Sequence, residues 1–112
     1  MTILSPSLMA CSPIVVSAVS ARTRGQDRGV DLSSCGWEDN PVDLAARADV
    51  DLVIEVIGGS DGPAKATVEA ALGRAKPVVT ANKALIATHG GALAAQAETN
   101  GATLRFEAAV AG

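Results

Sequence analysis

The sequence predicts an α/β fold built on a doubly wound parallel sheet. Short apolar segments alternate with helical patterns, which is typical of this class. The strongest apolar segment, residues 50–57, is almost continuous, as strands covered on both faces are. Hydrophobic residues make up 48% of the chain, and Trp37 and Phe106 are its only aromatic residues. The core therefore consists of Ala, Val, Ile and Leu, which suits helices packed closely on a sheet.

The first part of the chain has the less regular pattern. Residues 1–12 show no clear period, so we expect an irregular or weakly extended N-terminal segment, in which residues 2–4 could supply only a stub of a strand. Residues 14–20 are a short apolar strand, and the polar residues 21–40 are predicted to form a long loop. Residues 42–48 follow as a short helix with Asn40 as its cap.

The strand at residues 50–57 ends in a glycine-rich turn that runs to Gly62. A helix starts at Pro63, because proline needs no N–H donor in the first turn. Its predicted apolar face comprises Ala64, Val68, Ala71, Leu72 and Ala75.

Residues 77–81 form the next strand, and residues 84–99 the next helix, which Gly90 and Gly91 are expected to divide. Asn100 and Gly101 end this helix, and residues 103–110 are the last strand. One side of the helix carries Leu85, Ile86, His89, Leu93 and Ala97.

Length, charge and cysteine content limit the possible functions. A chain of 112 residues forms at most one small domain. Nine basic and twelve acidic residues give a net charge of −3, which argues against a nucleic-acid or membrane-surface partner. Cys11 and Cys35 are widely separated, which fits a reducing cytoplasm. No apolar run reaches the roughly 20 residues of a membrane helix.

Small and polar residues follow two successive strands. Gly58 and Gly59 end one strand, and Thr80, Asn82 and Lys83 end the next. Ligands of open α/β sheets bind at the carboxyl ends of the strands, so this βαβ unit predicts a nucleotide site.

Five segments occur in the order and spacing found in homoserine dehydrogenase, so the chain resembles that family. They are V-S-A-V-S-A-R, D-R-G-V-D-L, V-I-E-V-I-G-G, V-V-T-A-N-K-A-L and L-R-F-E-A-A-V-A-G. The resemblance covers about residues 13–112. It implies a partial NAD(P)-binding domain: an incomplete Rossmann-like sheet that lacks the first strand and its Gly-rich loop, without the substrate domain. The strands at 14–20 and 50–57 would then lack a common partner, so we expect the isolated chain to be poorly folded or dependent on a partner.

The resemblance also implies a function and its residues. The full enzyme would interconvert aspartate 4-semialdehyde and homoserine with NADP or NAD, in threonine and methionine biosynthesis, as a homo-oligomer acting on a small molecule. Lys83 would be catalytic, and Arg22, Gly58, Gly59, Thr80, Asn82 and Lys83 would bind the cofactor. A sodium ion would be held by Glu107, Val110 and Gly112.

The same residues allow plainer interpretations. Arg22 is also consistent with a solvated loop arginine, the glycine pair with an ordinary turn, and Lys83 with a surface lysine. Glu55 is either a buried, partnered acid or a site residue, and the lone His89 is better explained by packing than by zinc binding. For the chain as a whole there are two alternatives. It is a non-catalytic remnant that binds a nucleotide or a partner subunit weakly, or it is a truncated sequence of an ordinary enzyme.

Overall fold

In the part of the chain that the structure describes, a six-stranded sheet and three helices make up the fold. The computed structural model of the chain describes residues 2–6, 14–21 and 34–107. In chain order the elements are β1 (Thr2–Pro6), β2 (Ile14–Val19), β3 (Gly36–Trp37), α1 (Pro41–Ala45), β4 (Leu52–Glu55), α2 (Pro63–Gly73), β5 (Val78–Thr80), α3 (Lys83–Asn100) and β6 (Leu104–Phe106). The strand order is β3-β2-β1-β4-β5-β6, the common order of the doubly wound fold.

The N-terminal strand β1 fills the centre of the sheet, where the sequence predicts a gap. Ile3, for example, pairs with Ala18 of β2 on one side and with Val53 of β4 on the other. Residues 2–6 thus form a full strand where the sequence predicts an irregular or weakly extended segment, and the prediction that the neighbouring strands lack a common partner is wrong. A gap between two strands leaves backbone N–H and C=O groups unpaired, and even a short extended segment can pair with them.

Strand direction separates β1 from the others. β1 is antiparallel to both neighbours, whereas β2–β3, β4–β5 and β5–β6 are parallel pairs. The parallel sheet is thus confirmed for five strands, and β1, a strand that the sequence does not predict, runs antiparallel to its neighbours. Because the five parallel strands point the same way, their carboxyl ends share one edge of the sheet, here called the carboxyl edge. β1 contributes its first residue, Thr2, to that edge, since Thr2 pairs with Val19 and Ile54.

The core lies between the sheet and the helices. α2 packs against α1, α3, β4 and β5. The buried cluster is apolar and includes Val53 and Val78 of the sheet together with Leu44, Val68, Ala71, Leu72, Leu85 and Leu93 of the helices. These residues confirm most of the predicted helix faces, and Ile86 and His89 are half-buried.

Helix α3 is continuous, so the predicted division at Gly90 and Gly91 is wrong. Glycine in a helix costs about 1 kcal/mol relative to alanine. Leu85 and Leu93 lie on either side of the pair and are both buried, and burying one leucine side chain contributes about 1.5–3 kcal/mol. Tertiary packing therefore outweighs the local preference.

Ala75 also differs from its prediction, because it is exposed and lies just past the end of α2. Its φ is 58°, the one positive φ of a non-glycine residue in the described ranges. The N–H of Lys76 donates to Ala71 O and that of Ala75 to Leu72 O, a Schellman ending that needs a left-handed residue. Gly101 holds the same position after α3 with a φ of 70°, which confirms the predicted stop there.

The two helix ends predict opposite effects of alanine and glycine. Ala75→Gly should raise the free energy of unfolding by about 1 kcal/mol, and Gly101→Ala should lower it by about the same amount, because only glycine adopts the left-handed conformation without steric cost. Urea unfolding of both variants measures this. Changes of the same sign in both would contradict this account of the helix ends.

Candidate functional site

Buried polar side chains concentrate at the carboxyl edge. The described residues contain five of them, and Ser20, Glu55, Thr80 and Asn82 lie at this edge. A buried polar group costs free energy unless it is hydrogen-bonded, and each buried side-chain nitrogen or oxygen of the described residues has a partner. The edge is therefore the place where most buried polar side chains of the described residues gather.

The glycine turn, defined here as residues 58–62, follows β4. The φ angles of Gly58, Gly59 and Gly62 are 92°, 85° and 75°, values that side-chain-bearing residues rarely adopt. A Cβ atom added to Gly58 or Gly62 would meet no atom within 4 Å. Backbone conformation, rather than crowding, thus requires the glycines, and the space above Gly58 is open to a ligand.

Glu55, the last residue of β4, holds the start of this turn. Its side chain is 0% exposed. Oε2 accepts hydrogen bonds from the backbone N–H groups of Ile57 at 2.7 Å and Gly58 at 3.2 Å, and Oε1 accepts one from Thr80 Oγ1 at 2.6 Å. Of the two interpretations that the sequence allows, Glu55 is a buried acid with polar partners.

The lysine turn, defined as residues 80–83, follows β5 and leads into α3. Asn82 is its centre: its N–H donates to Thr80 Oγ1 at 3.0 Å, and its Oδ1 accepts from the N–H of Leu85 at 3.0 Å, which caps α3. Asn82 Nδ2 donates to Gly59 O at 2.7 Å. The predicted site residues Gly59, Thr80 and Asn82 are thus brought together by direct contacts.

Lys83 is the first residue of α3, and it is exposed. No hydrogen bond or ion pair joins its ammonium group to another residue of the described part. A cation at a helix N-terminus is mildly unfavourable because of the helix dipole. The lysine is therefore available to a ligand that lies along the carboxyl edge.

A cavity of about 220 Å³ opens beside the glycine turn. It is lined by residues that follow β2, β3 and β4 and by the first residues of α1 and α2: Ser20, Ala21, Asp39, Pro41, Ile57 and Pro63. Trp37 Nε1 donates to Asp39 Oδ1 at 2.9 Å, so the single tryptophan of the chain contacts a residue of the cavity wall.

Sequence reasoning missed this cavity, because its lining residues are small, apolar or in loops and form no pattern of their own. It also missed that His89 of α3 contacts the glycine turn, with Nε2 3.0 Å from Asp61 Oδ1. The identification of His89 as a packing residue fits its half-buried position. In the parts of the chain that the structure describes, no group of three or more His, Cys, Asp or Glu residues could hold a metal ion.

Three predicted site residues lie outside the described residues: Arg22, Val110 and Gly112. Glu107 follows β6 at the carboxyl edge, where its N–H donates to Thr80 O at 2.9 Å. Its carboxylate is 3.7 Å from Arg105 Nε. The structure therefore places one of the three predicted sodium ligands.

No helix among the described residues is long and apolar enough to cross a membrane.

Comparison with known proteins identifies the family. A model of the homoserine dehydrogenase NAD-binding domain matches residues 6–107. The chain is 46% identical over 101 residues to the homoserine dehydrogenase of Mycobacterium tuberculosis, covering 90% of this chain and 22% of that protein. It is 41% identical over 100 residues to the Bacillus subtilis enzyme, covering 89% of this chain and 23% of that protein.

Solved structures agree with the sequence relatives. Homoserine dehydrogenase from S. aureus superposes with a TM-score of 0.74 at 32% identity, over 86% of this chain and 24% of that one. The enzyme from Thiobacillus denitrificans gives 0.62 at 39% identity, over 69% of this chain and 18% of that one. The chain thus spans less than a quarter of its curated relatives' length, and it belongs to the family of homoserine dehydrogenase NAD-binding domains.

Proposed function

We propose that the chain binds NADP(H) or NAD(H) along its carboxyl edge, with the adenosine in the cavity and the nicotinamide beside the lysine turn. The observation that carries the proposal is the continuity of three features on one edge: the cavity of about 220 Å³, the open surface of Gly58 and the exposed Lys83, whose ammonium group has no partner among the described residues. An elongated dinucleotide matches this arrangement, because it needs a pocket at one end and a close backbone approach in its middle.

Each predicted residue has a role in this proposal. Gly58 and Gly59 let the backbone approach the cofactor, and Thr80 and Asn82 shape the surface on which the nicotinamide ribose rests. Helix α2 adds a favourable field, since its N-terminus has no side-chain cap and therefore favours negative charge nearby. Arg22 follows β2, where an arginine can pair with the 2′-phosphate of NADP.

The proposed reaction is the interconversion of homoserine and aspartate 4-semialdehyde. The nicotinamide supplies hydride transfer when the cofactor is bound. Lys83 donates a hydrogen bond to the substrate oxygen and stabilises the negative charge that develops on it. Because the chain covers 22% of its relative from M. tuberculosis, we propose that this chemistry requires the remaining part of such an enzyme, acting as a homo-oligomer on its small-molecule substrate in the cytoplasm.

A sodium ion at Glu107, Val110 and Gly112 is part of the same proposal. Carboxylate and carbonyl oxygens suit a hard cation, and the carboxylate of Glu107 follows β6 directly. Replacing choline chloride by NaCl at equal ionic strength should raise the melting temperature. Equal melting temperatures in both salts would refute the proposed sodium site.

A weakly binding remnant is the second candidate, and strand direction favours it. β1 places Thr2 at the carboxyl edge and leaves that edge toward Pro6, so β1 does not run into a phosphate-binding loop there, as the first strand of a dinucleotide fold does. Growth of a homoserine auxotroph that carries this chain would exclude the remnant. Absence of growth is expected of both candidates, because the proposed reaction requires the rest of the enzyme, so the affinity for the cofactor separates them.

Cofactor binding is tested by thermal unfolding with and without NADPH and NADH. At a ligand concentration of 100 times Kd, the free energy of unfolding should rise by about 2.7 kcal/mol, so the transition should move upward. Pyrophosphate at matched ionic strength is the control and should leave it in place. A larger shift with NADPH than with NADH is expected if Arg22 acts as proposed. A transition unmoved by both dinucleotides would refute the binding proposal.

A further inference from the structure

Glu55 is a charged residue in a place where burial is costly. Its side chain is 0% exposed, and none of the ion pairs among residues 34–107 includes it. Removing a carboxylate from water without a counter-charge is expensive unless several hydrogen bonds replace the water. Its three donors, the N–H groups of Ile57 and Gly58 and the hydroxyl of Thr80, provide that replacement.

The two carboxylate oxygens serve different turns. Oε2 holds the beginning of the glycine turn through two backbone N–H groups, and Oε1 holds the lysine turn through Thr80 Oγ1. The backbone continues the link, since the N–H of Ala81 donates to Glu55 O at 3.1 Å. One side chain thus fixes the relative position of the two turns, through a bond between residues 25 apart in sequence.

Asn82 closes this network into a ring. Its N–H donates to Thr80 Oγ1, the same hydroxyl that donates to Glu55, and its Nδ2 donates to Gly59 O in the glycine turn. Lys83 is the next residue along the chain. The position of its backbone therefore depends on the ring, although Glu55 itself lies beneath the surface and reaches no ligand.

We propose that Glu55 is a positioning residue, which acts through Thr80 and Asn82 to hold the glycine turn and Lys83 in the arrangement that receives the dinucleotide. This inference rests on the proposed cofactor binding and adds a specific cause for the site's geometry. Hydrogen bonds to a carboxylate are stronger than neutral ones, which suits an acid to a position where three donors from two turns converge.

The test compares NADPH affinity in variants of the full chain, with Trp37 and nicotinamide fluorescence as signals. Glu55→Gln should weaken binding about tenfold, since the carboxylate is lost and one of its two oxygen acceptors becomes an N–H donor that faces the donors of one turn. Thr80→Val, which removes only the hydroxyl, should weaken it in the same direction, and Thr80→Ser, which retains the hydroxyl, should restore it. Glu69→Gln is the matched control: it makes the same chemical change on α2, where Glu69 pairs with Lys65, and should leave Kd unchanged.

A purely structural role is distinguished by a second control. Val68→Ala lowers stability through the core without touching the ring, and it should leave Kd unchanged at temperatures where the variant is folded. If folded Glu55→Gln and Thr80→Val bind NADPH with the wild-type Kd, the proposal is wrong. If Glu55→Gln does not fold, the comparison of Thr80→Val with Thr80→Ser alone tests the proposal.

Failure of the proposed function is recognised separately. If the wild-type chain does not bind NADPH, amide hydrogen exchange tests the ring without ligand. Thr80→Val should then speed exchange at Gly58 and at Asn82, on both turns. Faster exchange confined to the lysine turn would overturn the coupling that the proposal requires.

Discussion

Ile3→Pro is expected to abolish the cooperative unfolding transition of the chain. Ile3 lies in the central strand and is paired on both sides, with Ala18 and with Val53. Proline removes a ladder hydrogen bond and is found essentially only on edge strands. A cost of about 3 kcal/mol or more is a large share of the roughly 5–15 kcal/mol that stabilises a small protein.

Circular dichroism during thermal unfolding measures the effect. Ile3→Val is the control, because it retains the backbone N–H and a residue suited to strands, and it should keep a cooperative transition. A proline variant with an unchanged transition would mean that β1 does not hold the two halves of the sheet together.

Asn82→Ala should lower the free energy of unfolding by about 2–4 kcal/mol. The loss has two parts. Removing the cap of α3 costs about 1 kcal/mol. Removing the bond from Asn82 Nδ2 leaves Gly59 O without its partner, which costs about 1–3 kcal/mol. Because Asn82 joins the two turns, the same variant should also weaken NADPH binding.

Asn40→Ala is the matched control for Asn82→Ala. Asn40 caps α1 through a single bond from the N–H of Val42 to Oδ1 at 3.0 Å. We expect Asn40→Ala to lower the free energy of unfolding by about 1 kcal/mol. Equal effects of the two substitutions on urea unfolding would show that Asn82 is no more than a helix cap.

Local signals account for the parts of the fold that the sequence predicts. Asn40 caps α1, Pro63 begins α2 and Gly101 ends α3, and in each case the chemistry of one residue decides the position. Strands β4 and β5 are recognisable because their apolar residues are almost continuous. The resemblance to the family supplies the order of these elements.

The elements that the sequence does not predict depend on distant partners. Residues 2–6 have no period, and their strand exists because β2 and β4 pair with it from either side. Helix α3 passes through Gly90 and Gly91 because residues on both sides of them are buried. The role of Glu55 is similar: an acid within an apolar strand signals a buried partner, but Thr80 is known as that partner only from the structure.

The most direct test of the dinucleotide site is an NMR titration of the ¹⁵N-labelled chain with NADPH. The account predicts saturable shifts of the amide signals of Gly58, Gly59, Ala81 and Lys83, with little change at Ala94 and Ala95 on the exposed surface of α3. Saturable shifts that leave out both the glycine turn and the lysine turn, or no shifts at millimolar NADPH, would contradict it.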